Sequence, residues 1–151
     1  HAFDYDTLAN HTIVVKCAKD GEKFTTLDGK ERNLRSDTLM ICDADKPIAI
    51  AGVMGGANTE ISDRTTNVLI ESANFDPGSI RKTSKYLGLS TDASQRFEGP
   101  VFDEGTVHTR APLRLVNQLP QRLQPVKGTG LVGAGHHCPV YIHIQNVPFA
   151  L

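Results

Sequence analysis

No apolar run in this 151-residue sequence approaches the roughly 20 residues that cross a bilayer, and no signal peptide is recognisable. The sequence also lacks an excess of basic residues, because 16 Lys and Arg stand against 17 Asp and Glu, a net charge of −1. This balance argues against a domain that grips nucleic acid by charge alone, although it permits contact with one end of a nucleic acid held elsewhere. We therefore expect no membrane partner. Since the first residue is His1 rather than Met, we expect a fragment of a longer protein.

Cysteine is scarce: the sequence contains three, at Cys17, Cys42 and Cys138. Their odd number and wide spacing favour reduced thiols in a cytosolic protein over a disulfide framework. The segment His136-His137-Cys138, with His143 nearby, raises the alternative of a zinc site. Two adjacent histidines do not easily face one metal, and no Cys-x-x-Cys pair accompanies them. We therefore expect no metal site.

Short β-branched runs separated by turn residues dominate the part of the chain that is easiest to interpret. A hydrophobic content of 39% and a charged content of 22% are typical of a soluble globular protein, and the length suits one domain. The predicted strands are Thr12–Lys16, Lys23–Leu27, Glu31–Leu34, Thr38–Cys42, Ile48–Met54, Asn67–Ile70 and one strand within Pro139–Val147. Asp28-Gly29 predicts a hairpin with a type I′ turn, which needs positive φ at both central positions.

One helix is predicted clearly, over Ile80–Leu87, with Asp76 or Ser79 as its cap and Gly88 just after its end. A second helical spacing, within Val107–Leu123, is interrupted by prolines. Segment 89–94 has the small residues of a turn, and segment 128–135 is rich in glycine. The sum predicts an α+β fold, in which several short, mainly antiparallel strands form a sandwich-like core with one or two packed helices.

The basic residues of the predicted helix, Arg81, Lys82 and Lys85, are expected to face outward, whereas Ile80, Thr83 or Ser84, and Leu87 mark its inner face. A solvated basic surface is the simpler interpretation of these residues. Contact with phosphates is the alternative.

A candidate site lies between Pro47 and Glu71. An apolar run ends there in Gly55-Gly56, and a second apolar run ends on the carboxylate of Glu71. Glycine at a strand end lets the backbone approach a ligand closely, and a carboxylate beside apolar residues is exposed, paired or functional. If the two runs pack together, they form a pocket with a backbone donor on one wall and a carboxylate on the other.

Several separated motifs occur in a recognisable order and spacing: His1-Ala-Phe-Asp4, Leu27-Asp-Gly29, Pro47–Gly56, Thr66–Ser72, Phe75-Asp-Pro77, Leu89–Ser94 and Arg96-Phe-Glu98. Together they resemble the editing domain of the β subunit of bacterial phenylalanyl-tRNA synthetases. The resemblance covers residues 1–98. It weakens from Gly99, where Gly99-Pro100 follows Phe-Glu and the family usually has Arg-Gly. The resemblance implies a single editing domain over 1–151 that hydrolyses tyrosine wrongly attached to phenylalanine tRNA.

The resemblance also implies roles for individual residues. His1 stands at the position of the pocket histidine and Thr91 at that of a small pocket residue, so these two are the catalytic candidates. Gly55, Glu71 and Ala93 are the substrate-binding candidates, with Glu71 recognising the tyrosine hydroxyl. Four of these positions also have an ordinary structural interpretation when considered singly. A terminal residue such as His1 is usually frayed, and Gly55-Gly56 is usually a turn. Glu71 would be a paired carboxylate at a strand end, and Thr91 a turn or cap residue. His1 could orient the water, act as a weak base or hold the terminal adenosine.

The resemblance implies no cofactor in this domain, with ATP and magnesium serving the whole synthetase. The implied partners are the acceptor end of phenylalanine tRNA carrying tyrosine, the rest of the β subunit and the α subunit, in the cytoplasm. Two alternatives remain: a non-catalytic module that docks tRNA or protein in the same synthetase, and a stand-alone hydrolase for another aromatic ester.

Overall fold

The computed structural model describes residues 1–99 and 141–148. The strands of this part are β1 Ala2–Asp4, β2 Val14–Cys17, β3 Lys23–Thr25, β4 Glu31–Asn33, β5 Leu39–Cys42, β6 Pro47–Ile50, β7 Met54–Gly55, β8 Asn67–Asn74 and β9 Tyr141–Pro148. The helices are α1 Pro77–Leu87 and α2 Asp92–Glu98, and single 3₁₀ turns lie at Tyr5–Thr7, Ala9–His11 and Ala57–Thr59.

The strands form three sheets with the orders β1-β8-β9, β2-β5-β6-β7 and β3-β4. Every strand pairing described is antiparallel. The α+β prediction is therefore confirmed, including the late strand, which is β9 and pairs with β8 along all of its length.

One hydrophobic core joins the sheets and the helices. β5 is buried at all of its positions, because it lies between β2 and β6 and is covered on both faces. The same core contains Phe3 from β1, Leu69 from β8 and Ile80 from α1. Burial of these apolar side chains from separate elements fixes how the elements pack around the candidate site.

Helix α1 begins and ends at the predicted signals. The carboxylate of Asp76 accepts a hydrogen bond from the Ser79 amide at 2.7 Å, so Asp76 rather than Ser79 is the N-cap. Gly88, at φ 63°, ends the helix in the left-handed region that favours glycine. Ile80 is buried on the inner face, as predicted, and the basic side chains of the helix are exposed.

The prediction of one continuous strand over Ile48–Met54 is wrong. β6 ends at Ile50, a turn follows at residues 51–53, and β7 then pairs antiparallel with β6. Gly52 makes the turn possible, because its φ is +65° and a Cβ there would lie 2.8 Å from Cδ1 of Ile80. The small apolar residues of this segment therefore form a tight hairpin that packs against α1, and their composition alone does not distinguish it from a strand.

The second run was predicted to end at Ile70, with Glu71 closing it, but β8 continues to Asn74. Its partner β9 lies about 70 residues further along the chain, and the local pattern does not reveal such a partner. The turn predicted over 89–94 is also only partly correct, because α2 already begins at Asp92.

The hairpin at Asp28-Gly29 is confirmed as the β3–β4 connection, but its turn is not type I′. Gly29 has a φ of +74°, whereas Asp28 is not among the residues with positive φ. The Gly29 amide donates to the Thr26 carbonyl at 2.9 Å, and the Thr26 amide donates to the Lys30 carbonyl at 3.1 Å. This pattern is typical of a three-residue hairpin loop with glycine in its last position.

Three predictions lie outside the described residues: the interrupted helical spacing of 107–123, the glycine-rich segment 128–135, and the zinc alternative at His136-His137-Cys138. Cys17 and Cys42 are free thiols, and burial raises the pKa of Cys42 to about 11. Among the described residues, no helix has the length and apolar content needed to cross a membrane.

Candidate functional site

The pairing of β1 with β8 brings His1 beside Glu71. The Glu71 amide donates to the His1 carbonyl at 2.7 Å, and the His1 nitrogen donates to the Glu71 carbonyl at 3.0 Å. Directly opposed residues of an antiparallel pair point to the same face of the sheet. The next opposed pair on that face is Phe3 with Leu69, and both are buried. His1 and Glu71 therefore stand at the rim of the core.

Gly55 lies directly against the imidazole of His1. The ring of His1 also packs on that of Phe3, with centroids 4.7 Å apart. A Cβ added to Gly55 would lie 2.5 Å from Cε1 of His1 and 3.1 Å from Cδ1 of Leu27. Only a residue without a side chain lets the imidazole and the leucine close on this strand from two sides. The structure therefore brings His1, Gly55 and Glu71 together.

Leu27 is a site residue that was not singled out from the sequence. Its amide donates to the Gly55 carbonyl at 3.0 Å, and its side chain is 37% exposed beside Gly55. An apolar side chain in this position can form the wall of a cleft for an aromatic ring. The signal was present in Leu27-Asp-Gly29, where an apolar residue immediately precedes the loop of a hairpin.

Thr91 lies on the other side of the β6–β7 hairpin, where it caps α2. Its hydroxyl donates to the Val53 carbonyl at 2.8 Å and accepts from the Ser94 amide at 3.0 Å. The Ser94 hydroxyl reciprocates by accepting from the Thr91 amide at 3.1 Å, which completes a capping box. The cap interpretation of Thr91 is confirmed. The hydroxyl proton of Thr91 is used in the hydrogen bond to the Val53 carbonyl. The catalytic role of Thr91 stays a prediction.

Ala93 is exposed in the first turn of α2, two residues after Thr91. It lies on the same element as Thr91, which is tied to the turn before Gly55. Its predicted role in shaping a pocket stays a prediction.

Glu71 carries the distinctive electrostatics of the site. Its side chain is half-buried, and burial is the main cause that raises the pKa of its carboxyl. Among the side chains and amides that the structure describes within residues 1–99, none is hydrogen-bonded to this carboxylate. A carboxylate in these surroundings gains from a ligand that donates a hydrogen bond to it.

A shallow groove of about 420 Å³ lies next to this site but does not include it. Its lining residues are Lys23, Phe24, Thr25, Lys46, Pro47, Ala57 and Asn58. A Cβ on Gly56 would lie 2.6 Å from Cζ of Phe24, whereas a Cβ on Gly55 meets His1 and Leu27. The segment Gly55-Gly56 thus separates the groove from the His1 side. The described part of the chain contains no cluster of His, Cys, Asp or Glu that could hold a metal ion.

Comparison with known proteins matches the chain to one family. The sequence profile of the B3/4 domain matches residues 1–113. The chain is 60% identical over 111 residues to the phenylalanine–tRNA ligase β subunit of Salinibacter ruber, covering 74% of the chain and 13% of that protein. It is 63% identical over 98 residues to the same subunit of Protochlamydia amoebophila, covering 65% of the chain and 12% of that protein. The chain thus spans about an eighth of the length of these relatives.

Proposed function

Because the chain belongs to the B3/4 domain family, we propose that it acts as an editing domain that hydrolyses the ester between tyrosine and phenylalanine tRNA. The names of its relatives supply the setting, a phenylalanine–tRNA ligase β subunit. The single observation that supports the chemistry is the half-buried carboxylate of Glu71, which has no hydrogen-bond partner among the side chains and amides described within residues 1–99 and lies opposite His1, whose ring contacts Gly55.

Selectivity for tyrosine over phenylalanine rests on the phenol hydroxyl. The Gly56 amide donates a hydrogen bond to the Ile48 carbonyl of β6 at 2.8 Å. Because hydrogen-bonded and non-hydrogen-bonded pairs alternate along two antiparallel strands, the neighbouring residue Gly55 is in a non-hydrogen-bonded pair with Ala49. The Gly55 amide therefore points away from β6. The phenol would donate to Glu71 and accept from the Gly55 amide. Phenylalanine would leave both groups dry and unpaired, at a cost of about 1–3 kcal/mol or more.

Hydrolysis of an aminoacyl ester needs little chemical assistance, since the ester is already activated. Water attacks the ester carbonyl, the bond to the ribose oxygen of the terminal adenosine breaks, and that oxygen takes a proton while tyrosine leaves as the free acid. His1 would orient the water or act as a weak base. Thr91 would serve by holding the start of α2 at the Val53 carbonyl, which fixes one side of the cleft.

The wider setting is that of the complete ligase. We place this chain with the remainder of a β subunit, with an α subunit and with the acceptor end of phenylalanine tRNA, in the cytoplasm. ATP and magnesium would serve the aminoacylation reaction elsewhere in the enzyme, and the editing reaction itself would use no cofactor. A net charge of −1 suits a domain that receives only the end of a tRNA held by other parts of the enzyme.

The test is deacylation of tyrosyl-tRNA and phenylalanyl-tRNA, both made on phenylalanine tRNA. The chain would be assayed alone and in place of the matching segment of the Salinibacter ruber β subunit, assembled with its α subunit. Release of tyrosine well ahead of phenylalanine supports the proposal. Tyrosyl-tRNA that survives at the uncatalysed rate in both formats, with tRNA still bound, would instead identify a non-catalytic docking module.

A further inference from the structure

The guanidinium of Arg32, in β4, joins three parts of the chain. Its Nη2 pairs with Oδ2 of Asp28 at 2.6 Å, its Nη1 donates to the Leu87 carbonyl at 3.1 Å, and its Nε lies 3.4 Å from Oγ1 of Thr26. The Arg32 side chain is only 15% exposed. A partly buried guanidinium with several acceptors holds its neighbours in one geometry more firmly than an exposed ion pair does.

The hairpin loop that Arg32 grips continues into the candidate site. Thr26 is fully buried, its hydroxyl donates to Oδ1 of Asp28 at 2.5 Å, and its backbone pairs with Gly56. The next residue, Leu27, donates its amide to the Gly55 carbonyl and presents its side chain beside Gly55. The place of the Leu27 wall therefore depends on the loop conformation that Arg32 and Asp28 fix.

The third acceptor of Arg32 belongs to the other side of the site. The Leu87 carbonyl is in the last turn of α1, just before Gly88 turns the chain toward α2. The cap of α2, Thr91, is hydrogen-bonded to Val53 in the turn that precedes β7. Arg32 thus connects the hairpin that carries Leu27 to the helix pair that carries Thr91.

We propose that Arg32 is a positioning residue that sets the width of the tyrosine cleft by holding Leu27 against Gly55. This inference rests on the proposed function. Arg32 does not touch the reacting atoms, and it acts through the loop and the end of α1. A lysine in its place keeps the charge but offers one compact ammonium, which cannot reach Asp28 and the Leu87 carbonyl in the fork geometry of arginine.

The experiment compares Arg32→Lys with Arg35→Lys. Arg35 is a matched control, because it also pairs with an aspartate, Asp37, at 3.3 Å and also contacts α1, where its guanidinium lies 5.1 Å from the Tyr86 ring centroid. For Arg32→Lys we expect kcat for tyrosyl-tRNA to fall about 10- to 100-fold with KM nearly unchanged, since the cleft and not tRNA binding is altered. Arg35→Lys should leave both constants unchanged.

Hydrogen exchange at the Leu27 amide gives a second measurement that does not need activity. Its bond to Gly55 should open more often in Arg32→Lys, which raises the exchange rate about tenfold, while amides of β5 keep their protection. Asp28→Asn removes the same ion pair from the other side and should have the same local effect. If Arg32→Lys destabilises the whole chain, as a lower thermal midpoint would show, the exchange rate of the Leu27 amide is compared instead between the parent and Asp28→Asn, which keeps Arg32.

Unchanged Leu27 exchange in both variants, or a kcat that falls equally in Arg35→Lys, would overturn the positioning role. An unaltered chain that leaves tyrosyl-tRNA intact overturns the proposed function instead. In that case faster exchange at the Leu27 amide in Arg32→Lys would still show that Arg32 holds Leu27 against Gly55, and unchanged exchange would show that it does not, so the two failures are distinguishable.

Discussion

The carboxylates of Asp28 and Glu71 differ in their hydrogen-bond partners and in the direction in which their pKa is shifted. Asp28 is saturated: the Thr26 hydroxyl, the Lys30 amide and the Arg32 guanidinium all bind it, and the hydrogen bond from Thr26 is the main cause that lowers its pKa. Glu71 has no such partner among the described side chains of residues 1–99, and burial raises its pKa. The first arrangement is what a structural carboxylate needs, and the second is what a carboxylate reserved for a ligand shows.

The largest effect should follow when Glu71 is replaced by alanine. Removing the acceptor of the phenol hydroxyl should reduce the preference for tyrosyl- over phenylalanyl-tRNA by about 10- to 150-fold, the equivalent of a hydrogen bond to a charged group. Deacylation rates of both esters measure this ratio. Glu60→Ala, at an exposed position, is the control. An unchanged ratio of the two deacylation rates in Glu71→Ala would mean that Glu71 does not recognise the tyrosine hydroxyl.

Asp43 extends the comparison to a fully structural carboxylate. It is 2% exposed and accepts hydrogen bonds from the amides of Ala9, Asp45 and Lys46, at 3.1, 2.8 and 2.7 Å. Asp43→Ala would leave these amides without their acceptor, so we expect the free energy of unfolding to fall by about 2 kcal/mol. Urea denaturation measures it. The folded variant should keep its tyrosine preference, and a loss of preference without a loss of stability would contradict this assignment.

Gly55→Ala tests whether the close approach of His1 and Leu27 at Gly55 serves the proposed cleft. The added methyl group would push His1 and Leu27 apart, so we expect about tenfold lower kcat for tyrosyl-tRNA at a stability cost of about 1 kcal/mol. Gly78→Ala, in the exposed first turn of α1, is the matched control, because its Cβ would meet only Asp76, at 3.1 Å or more. Equal activity in the two variants would mean that close approach at Gly55 does not matter.

The smallest effect concerns pH and has opposite signs at the two carboxylates. For Glu71 the folded pKa is raised, so its contribution to stability is complete below its ordinary value of 4.5 and is lost as pH rises through the folded pKa. For Asp28 the pKa is lowered, so its contribution is present above 3.8 and is lost as pH falls through the folded pKa.

We therefore expect Glu71→Gln to stabilise the chain relative to the parent as pH rises above 4.5, and Asp28→Asn to destabilise it above 3.8. Thermal unfolding of the parent and the two variants across this pH range measures both trends. Trends of the same sign in the two variants would contradict the difference in surroundings from which the comparison starts.

Local signals in the sequence were sufficient for elements whose causes are local. Asp76 and Gly88 bound α1 as predicted, because capping depends on residues within one turn. The full length of β8 could not be predicted, because its partner β9 is remote in sequence. The prediction of one strand over Ile48–Met54 was wrong for a related reason. The same apolar composition suits a strand and a buried hairpin, and the contact of Gly52 with α1 decides between them.

Some residues of the candidate site could be predicted from the sequence, and others could not. The resemblance supplied His1, Gly55 and Glu71, and the structure brings these three together. Arg32 carried no signal of its own, since an arginine in a short polar strand is ordinary, and its importance comes from acceptors 4 and 55 positions away. Residues whose role depends on such distant partners become visible only when the fold is known.

The register of β1 on β8 has one more consequence. Side chains alternate between the faces of a strand, so a shift of β1 by one residue along β8 would turn His1 outward and bring Ala2 inward, while Glu71 would keep its face. The site therefore depends on the parity of a strand pairing as much as on the identity of its side chains. Transferring the His1–Glu71 pair to another protein would require both strands in phase, since neither residue alone specifies where the other will point.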